Sequence, residues 1–213
     1  MAYNNYGNRF QRTTPIVRNL IIINVLVWIA QLALDKSSGL SDKIALYSFN
    51  TSAFKPYQLV THMFAHSSYD VAGNIVIWHI LFNMLALWMI GTVLERVWGP
   101  RRFLIFYLTC GLAAGVAQGF LVQNGASLGA SGAIMGLLGA FAYLFPNTEF
   151  FIIPIPFPIK AKYLVPIIAA IDLFGGIHPG GVDDIGHFAH LGGLVTGLLL
   201  VIIWNKTNKK TFY

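Results

Sequence analysis

Ser131-Gly132-Ala133-Ile134-Met135-Gly136-Leu137-Leu138-Gly139-Ala140-Phe141-Ala142-Tyr143-Leu144-Phe145 is an uncharged, apolar run that stops at Pro146-Asn147. A helix of these 15 residues reaches roughly 22 Å at about 1.5 Å per residue. The hydrocarbon core of a bilayer is about 30 Å thick. The run therefore has the composition of a membrane helix without the length to cross. If Pro146-Asn147 mark its inner end, the missing length lies at the outer end, and the helix starts with Ser131 several ångströms below the outer surface. Non-helical backbone at that depth is tolerated only where it is buried in protein or lines a water-filled cavity. A sunken hydrophilic pocket is the expectation.

The rest of the chain supports a membrane reading. It has 213 residues, 56% hydrophobic and only 10% charged, with mean hydropathy +0.64, against about 25% charged in an ordinary soluble domain. Six apolar stretches, 17–34, 75–94, 102–122, 131–145, 163–178 and 188–204, are candidate spans. They leave little room for a soluble domain. The expected organisation is a tail at 1–16, a six-helix domain at 17–204 and a second tail at 205–213. No small-residue cleavage site follows the first apolar run, so that run is expected to stay as an anchor rather than be removed as a signal peptide. The single Cys110 lies inside the third run and suits packing.

The formal charge of +6 is informative through its placement, and it does not point to nucleic acid. Eleven of the 14 basic residues lie on one side: Arg9, Arg12, Arg18, Arg96, Arg101, Arg102, Lys160, Lys162, Lys206, Lys209 and Lys210. The other side holds Lys36, Lys43 and Lys55 with most of the acids. The positive-inside rule then puts both termini in the cytoplasm. Two loops face outward: a mixed segment of about 40 residues between spans 1 and 2, and the Gly-rich Pro179–Asp184 between spans 5 and 6. The proline-rich Phe150–Pro158 reads as an inner interfacial loop, since each proline removes a backbone donor.

With the N-terminus inside, spans 2, 4 and 6 all begin at the outer face, and each brings polar residues to a similar depth. Span 2 offers His79 and Asn83, four apart and so on one helix face. Span 4 offers Ser131 and span 6 offers His190. A serine at or near a helix N-cap is common for structural reasons alone, and His79 with Asn83 could serve interhelical hydrogen bonding. The pairs Gly132–Gly136 and Gly193–Gly197 have the small-xxx-small spacing that lets helices approach closely. Contact between spans 4 and 6 would bring Ser131 near His190. A serine hydroxyl is a weak nucleophile until a base within hydrogen-bond reach takes its proton, and His79, Asn83 and the Ser131 N–H could face a developing oxyanion.

Four motifs, Gly129-Ala130-Ser131-Gly132, His79-Ile80-Leu81-Phe82-Asn83, Gly91-Thr92-Val93-Leu94-Glu95 and Ala189-His190-Leu191-Gly192-Gly193, resemble the signatures of rhomboid intramembrane serine proteases in type and order, over roughly residues 54–200. The resemblance implies a six-helix core with a short, sunken fourth helix. It implies a Ser131–His190 dyad without an aspartate, His79 and Asn83 in the oxyanion site, and a structural role for His66 before span 2. Its implied activity is cleavage of transmembrane proteins in a bilayer, near the outer face and without a cofactor; a bacterial inner membrane is the expected location. Oligomeric state is not addressed by these motifs. Two positions depart from the family pattern: Tyr57-Gln58 stands where relatives carry Trp-Arg, and Met135 where an aromatic ring packs on the catalytic imidazole.

Other groups have plainer readings. His62 and His66 have i, i+4 spacing, but without a His-Glu-x-x-His motif no metal site is expected. His187 rivals His190 as base, yet His190 precedes Leu-Gly-Gly and lies about a turn deeper. Asp172, inside span 5, is functional by default in a membrane and is read as solvated and facing the protein interior, with no catalytic claim attached to it. His178 suits a solvated helix end, and Glu95 a structural hydrogen bond or an ion pair with nearby arginines. Two rival functions remain from the sequence: a non-catalytic relative that escorts membrane clients, and a transporter using Asp172, His79 and Asn83. The absence of an internal repeat speaks against an inverted-repeat transporter.

Overall fold

The computed structural model describes residues 14–122, 125–151, 156–178 and 186–207. Its long helices follow the apolar runs, with ends set by proline and glycine. Helix α1 (Pro15–Ser38) starts on a proline, which has no N–H to leave unsatisfied at a helix start, and ends at Gly39 in the left-handed conformation. The second long helix runs from Trp78 to Trp98 in three pieces: α4 (Trp78–Ala86), a π-helical turn (Leu87–Gly91) and α5 (Thr92–Trp98). Gly99 then turns the chain into α6 (Pro100–Leu121). The short run quoted first is α7 (Ser131–Leu144). It is followed by α8 (Ala161–Ile177), which carries Pro166 inside it, and α9 (His187–Thr207). Four of these helices, Pro15–Ser38, Trp78–Trp98, Pro100–Leu121 and His187–Thr207, are long and apolar enough to cross a membrane. The fold is an all-α membrane bundle, and α7 is 14 residues long.

The three helices α6, α7 and α9 pack through their small residues. A Cβ built on Gly193 would collide with the carbonyl oxygen of Gly132, and one on Gly197 with that of Gly136. From the α7 side, a Cβ on Gly136 would stand 2.5 Å from Cys110 Sγ and 2.9 Å from the Gly193 carbonyl oxygen. Gly192 faces α6, where a Cβ would lie 2.6 Å from Ala117. Both glycine pairs thus do what their spacing suggested, and Cys110 is a buried packing residue.

The outer segment between α1 and α4 is fastened by polar side chains. It contains helix α2 (Leu40–Ile44), strand β1 (Leu46–Tyr47), helix α3 (Gln58–Thr61) and a 3-10 turn at His62–Phe64. Strand β1 pairs antiparallel with β2 (Ala126–Ser127), joining the segment to the loop before Ser131. One face of α1 does the rest. Buried Gln31 donates to the His66 carbonyl (2.9 Å) and accepts from the His66 N–H (3.0 Å), Asn24 accepts from His66 Nε2 (2.8 Å), and Asp35 accepts from Ser41 and Ser68. His66 is thereby tied to α1 through both its backbone and its ring. Gln58 is buried and closes its own turn, its side chain bonding Lys55 N–H and the Ala53 carbonyl.

At the opposite end of the bundle, Glu95 is buried and accepts the N–H groups of Ile16 (3.0 Å) and Val17 (2.8 Å). It therefore caps the start of α1, where a carboxylate also meets the positive end of the helix dipole; of its two expected roles, the structure shows the hydrogen bond. The inner loop after α7 closes with β3 (Glu149–Phe150) against β4 (Ile159–Lys160). Of that proline-rich loop, 152–155 lie outside the described residues, as do the tails 1–13 and 208–213 and the outer loop at 179–185.

Candidate active site

Gly129 shapes the approach to Ser131. Its φ of +133° lies where side chains are strained, and a Cβ there would stand 3.0 Å from His79 Nε2 and 3.6 Å from Ser131 Oγ. Only a glycine leaves that space open while turning the chain. The Gly129 N–H donates to the His62 carbonyl at 2.9 Å, which fixes the loop to the outer segment.

Helix α7 begins with Ser131 as its first helical residue, and Ala130 rather than the serine holds the N-cap position. The hydroxyl turns instead to α9, where Ser131 Oγ lies 2.9 Å from His190 Nε2. The plain N-cap reading is thereby replaced. The α7–α9 glycine contacts let two residues 59 positions apart come within hydrogen-bond reach, the arrangement a serine needs for its proton to be taken.

His79 on α4 faces the same space. The Ser67 N–H donates to His79 Nδ1 at 3.2 Å, so Nδ1 is an acceptor and, in the neutral ring, Nε2 carries the proton. That Nε2–H is directed at the gap bounded by Gly129 and Ser131, where it can donate to an oxygen. Asn83, one turn further along, uses Nδ2 to bond the His79 carbonyl at 2.8 Å; an amide nitrogen has two hydrogens. Both residues line a cavity of about 610 Å³ together with Ser131, His190, Gly129 and Gly132. The cavity also touches Asp70 and Val71 of the segment between α1 and α4, both exposed, so it runs from the protein surface to the serine.

Other predicted residues fall elsewhere. Met135 is buried in the core and is not part of the cavity wall. His62 lines the cavity but bonds Gln58 through Nδ1, while His66 bonds Asn24, so the two rings do not converge on one point. Burial holds His66 far below the usual imidazole range, at about 3, and pushes His62 down as well. His178 is exposed at the end of α8 and stacks on Phe174.

Two residues take parts that sequence reasoning missed. Gln118 on α6 accepts the Ala189 N–H at 3.1 Å, holding the first turn of α9 in place. Asp172 is not solvated: it is 4% exposed, and Nδ1 of both His187 (2.9 Å) and His190 (3.1 Å) points at its carboxylate. The correction comes from α9, whose first turn covers this side of α8 with two imidazoles. The implied dyad without an aspartate therefore has an aspartate next to its histidine. A signal existed in the i, i+3 spacing of His187 and His190, which puts both on one helix face.

A membrane-embedded helical bundle with a serine and a histidine joined at the base of a water-accessible cavity is the class these features define. A rhomboid domain model matches residues 53–206, and the chain belongs to the rhomboid family. Rhomboid protease GluP of Bacillus subtilis is 40% identical over 125 residues, covering 58% of this chain and 23% of that protein. Rhomboid protein 1, mitochondrial, of Saccharomyces cerevisiae is 33% identical over 155 residues, 67% of this chain and 44% of that protein. Putative rhomboid protease YdcA of Bacillus subtilis is 26% identical over 196 residues, 90% and 89% of the two chains. The chain spans less than half the length of the first two relatives.

Proposed function

We propose that the protein is an intramembrane serine endopeptidase, with Ser131 as nucleophile and His190 as general base. The single observation that carries this is the 2.9 Å contact between Ser131 Oγ and His190 Nε2 in a cavity reaching the outer surface. Ser131 Oγ attacks the carbonyl carbon of a peptide bond while its proton passes to His190 Nε2. The resulting oxyanion accepts hydrogen bonds from the Ser131 N–H, His79 Nε2 and Asn83 Nδ2. As the C–N bond breaks, His190 gives its proton to the departing amine, leaving an acyl ester on Ser131. Water then attacks that ester with His190 as base, the C–Oγ bond breaks and the proton returns to Ser131. The products are an amine and a carboxylate.

The substrates are transmembrane proteins whose helix unwinds near the outer face, and segments rich in weak helix formers such as glycine and serine unwind most readily. Both termini lie in the cytoplasm of a bacterial cell, and the catalytic unit is 17–204. No cofactor takes part. The test is cleavage of a single-span reporter protein by the full chain in liposomes. Ser131→Ala and His190→Ala each abolish cleavage, and Ser131→Ala no longer reacts with a fluorophosphonate probe. Labelling of Ser131→Ala at the wild-type rate refutes the assignment.

A further inference from the structure

Helix α8 presents an anomaly. Between Pro166 and Ile177 its sole buried residue is Asp172, while Ile167, Ile171, Leu173, Phe174 and Ile177 are exposed. A helix that faces lipid with its apolar side chains and buries an acid carries a costly group unless that group is partnered. Here the partners are two imidazoles. Asp172 Oδ1 lies 2.9 Å from His187 Nδ1 and 3.1 Å from His190 Nδ1, and Oδ2 lies 3.2 Å from His190 Nδ1.

A carboxylate has only acceptors, so each of these contacts requires the proton on Nδ1. For His190 that leaves Nε2 as the bare nitrogen of the neutral ring, and Nε2 is the atom 2.9 Å from Ser131 Oγ. The carboxylate therefore selects the tautomer that can take the serine proton. It also lies on the far side of the ring from the serine, where it can steady the imidazolium that forms during attack. The bond from His187 Nδ1 to Oδ1 orients the carboxylate toward His190. Gly175, one turn along from Asp172, provides room for it, since a Cβ there would run into the His187 ring.

We propose that Asp172 is a positioning residue for catalysis, holding His190 in the Nδ1–H tautomer, so that the site works as a Ser131–His190–Asp172 line drawn from α7, α9 and α8, with His187 as the second donor. This rests on the protease reading above. A purely structural carboxylate, joining α8 to α9, would affect folding but not the chemical step in particular.

Cleavage of the single-span reporter in liposomes separates these cases. Asp172→Asn keeps the shape of the side chain but can present an N–H to His190. It lowers kcat about a hundredfold or more with KM within about threefold, whereas Asp172→Glu, which restores the carboxylate, recovers activity to within about tenfold of wild type. His187→Gln loses less than Asp172→Asn. A kcat for folded Asp172→Asn within threefold of wild type overturns the proposal. Cleavage by Ser131→Ala instead overturns the protease reading itself, so the two failures are distinguishable. If Asp172→Asn does not fold, nitrogen-15 NMR of histidine-labelled wild type in micelles, assigned with His190→Ala, reads the tautomer directly. A protonated Nδ1 and bare Nε2 on His190 support the proposal; the reverse tautomer overturns it.

Discussion

The α7–α9 seam and the α8–α9 seam hold the two ends of one hydrogen-bonded line by different means. Between α7 and α9, glycine meets backbone: Gly193 against the Gly132 carbonyl, Gly197 against the Gly136 carbonyl. Between α8 and α9, near the outer face, the join is polar, with His187 and His190 on Asp172. The outer segment resembles the second seam, hung on Gln31, Asn24 and Asp35 of α1. Backbone contact leaves no side chain to re-orient, and so sets the Ser131–His190 distance. Polar contact answers to proton and partner, and so sets the state of the histidine.

The strongest way to break the comparison is Gly193→Val. Its side chain has to displace backbone rather than a flexible neighbour, and overpacking of this kind costs about 3 kcal/mol or more. Thermal unfolding in detergent is expected to show a protein that is unfolded or severely destabilised, without cleavage. Gly129→Ala comes next and acts on chemistry more than on stability. The strained φ costs about 1–3 kcal/mol, while the new methyl fills the space beside His79 Nε2 and Ser131 Oγ, so cleavage falls about a hundredfold or more, in line with loss of an oxyanion donor.

The polar-held region is the one that pH should loosen. His66 binds a proton in the folded protein only near pH 3, whereas a free histidine does so near 6.5. Below about 6.5 the unfolded chain thus carries the extra proton, and stability declines as pH falls, by about 1.4 kcal/mol per unit until the folded value is reached. At pH 4.5 His66 costs roughly 2.5 kcal/mol relative to pH 7. Unfolding curves at the two pH values measure this, and the gap is expected to narrow by that amount in His66→Gln. The smallest effect belongs to Gly175→Ala, whose methyl meets the His187 ring first. A ring can shift where a backbone cannot, so the cost is about 1 kcal/mol, with cleavage reduced less than in Gly129→Ala. A Gly175→Ala protein as unstable as Gly193→Val would erase the distinction between the seams.

Much of this was legible in the chain. The short apolar run from Ser131, the glycine pairs and the parity of the spans placed Ser131 beside His190, because helix length and small-residue spacing are local properties. The partner of Asp172 was not legible. Which face of α8 meets α9 depends on packing across a loop whose geometry no local pattern records, and a lone acid in a span invites solvent as readily as a histidine. Glu95 shows the same limit from the other end of the bundle. Nearby arginines in sequence made an ion pair plausible, while the fold brought the unsatisfied N–H groups of α1 from almost 80 residues away.

The π-helical turn at Leu87–Gly91 has a consequence for how this chain can change over time. A wide turn accommodates about one residue more than an α-helical one, and one residue is worth about 100° of rotation. Below it Glu95 must face the start of α1, and above it His79 and Asn83 must face the cavity. Deleting one residue from 87 to 91 would let the turn close to α-helical form with the two halves still in phase, whereas a deletion within α4 or α5 would turn them against each other by about 100°. The wide turn is thus the place in this helix where the count of residues can change by one, while the flanking α4 and α5 must keep theirs.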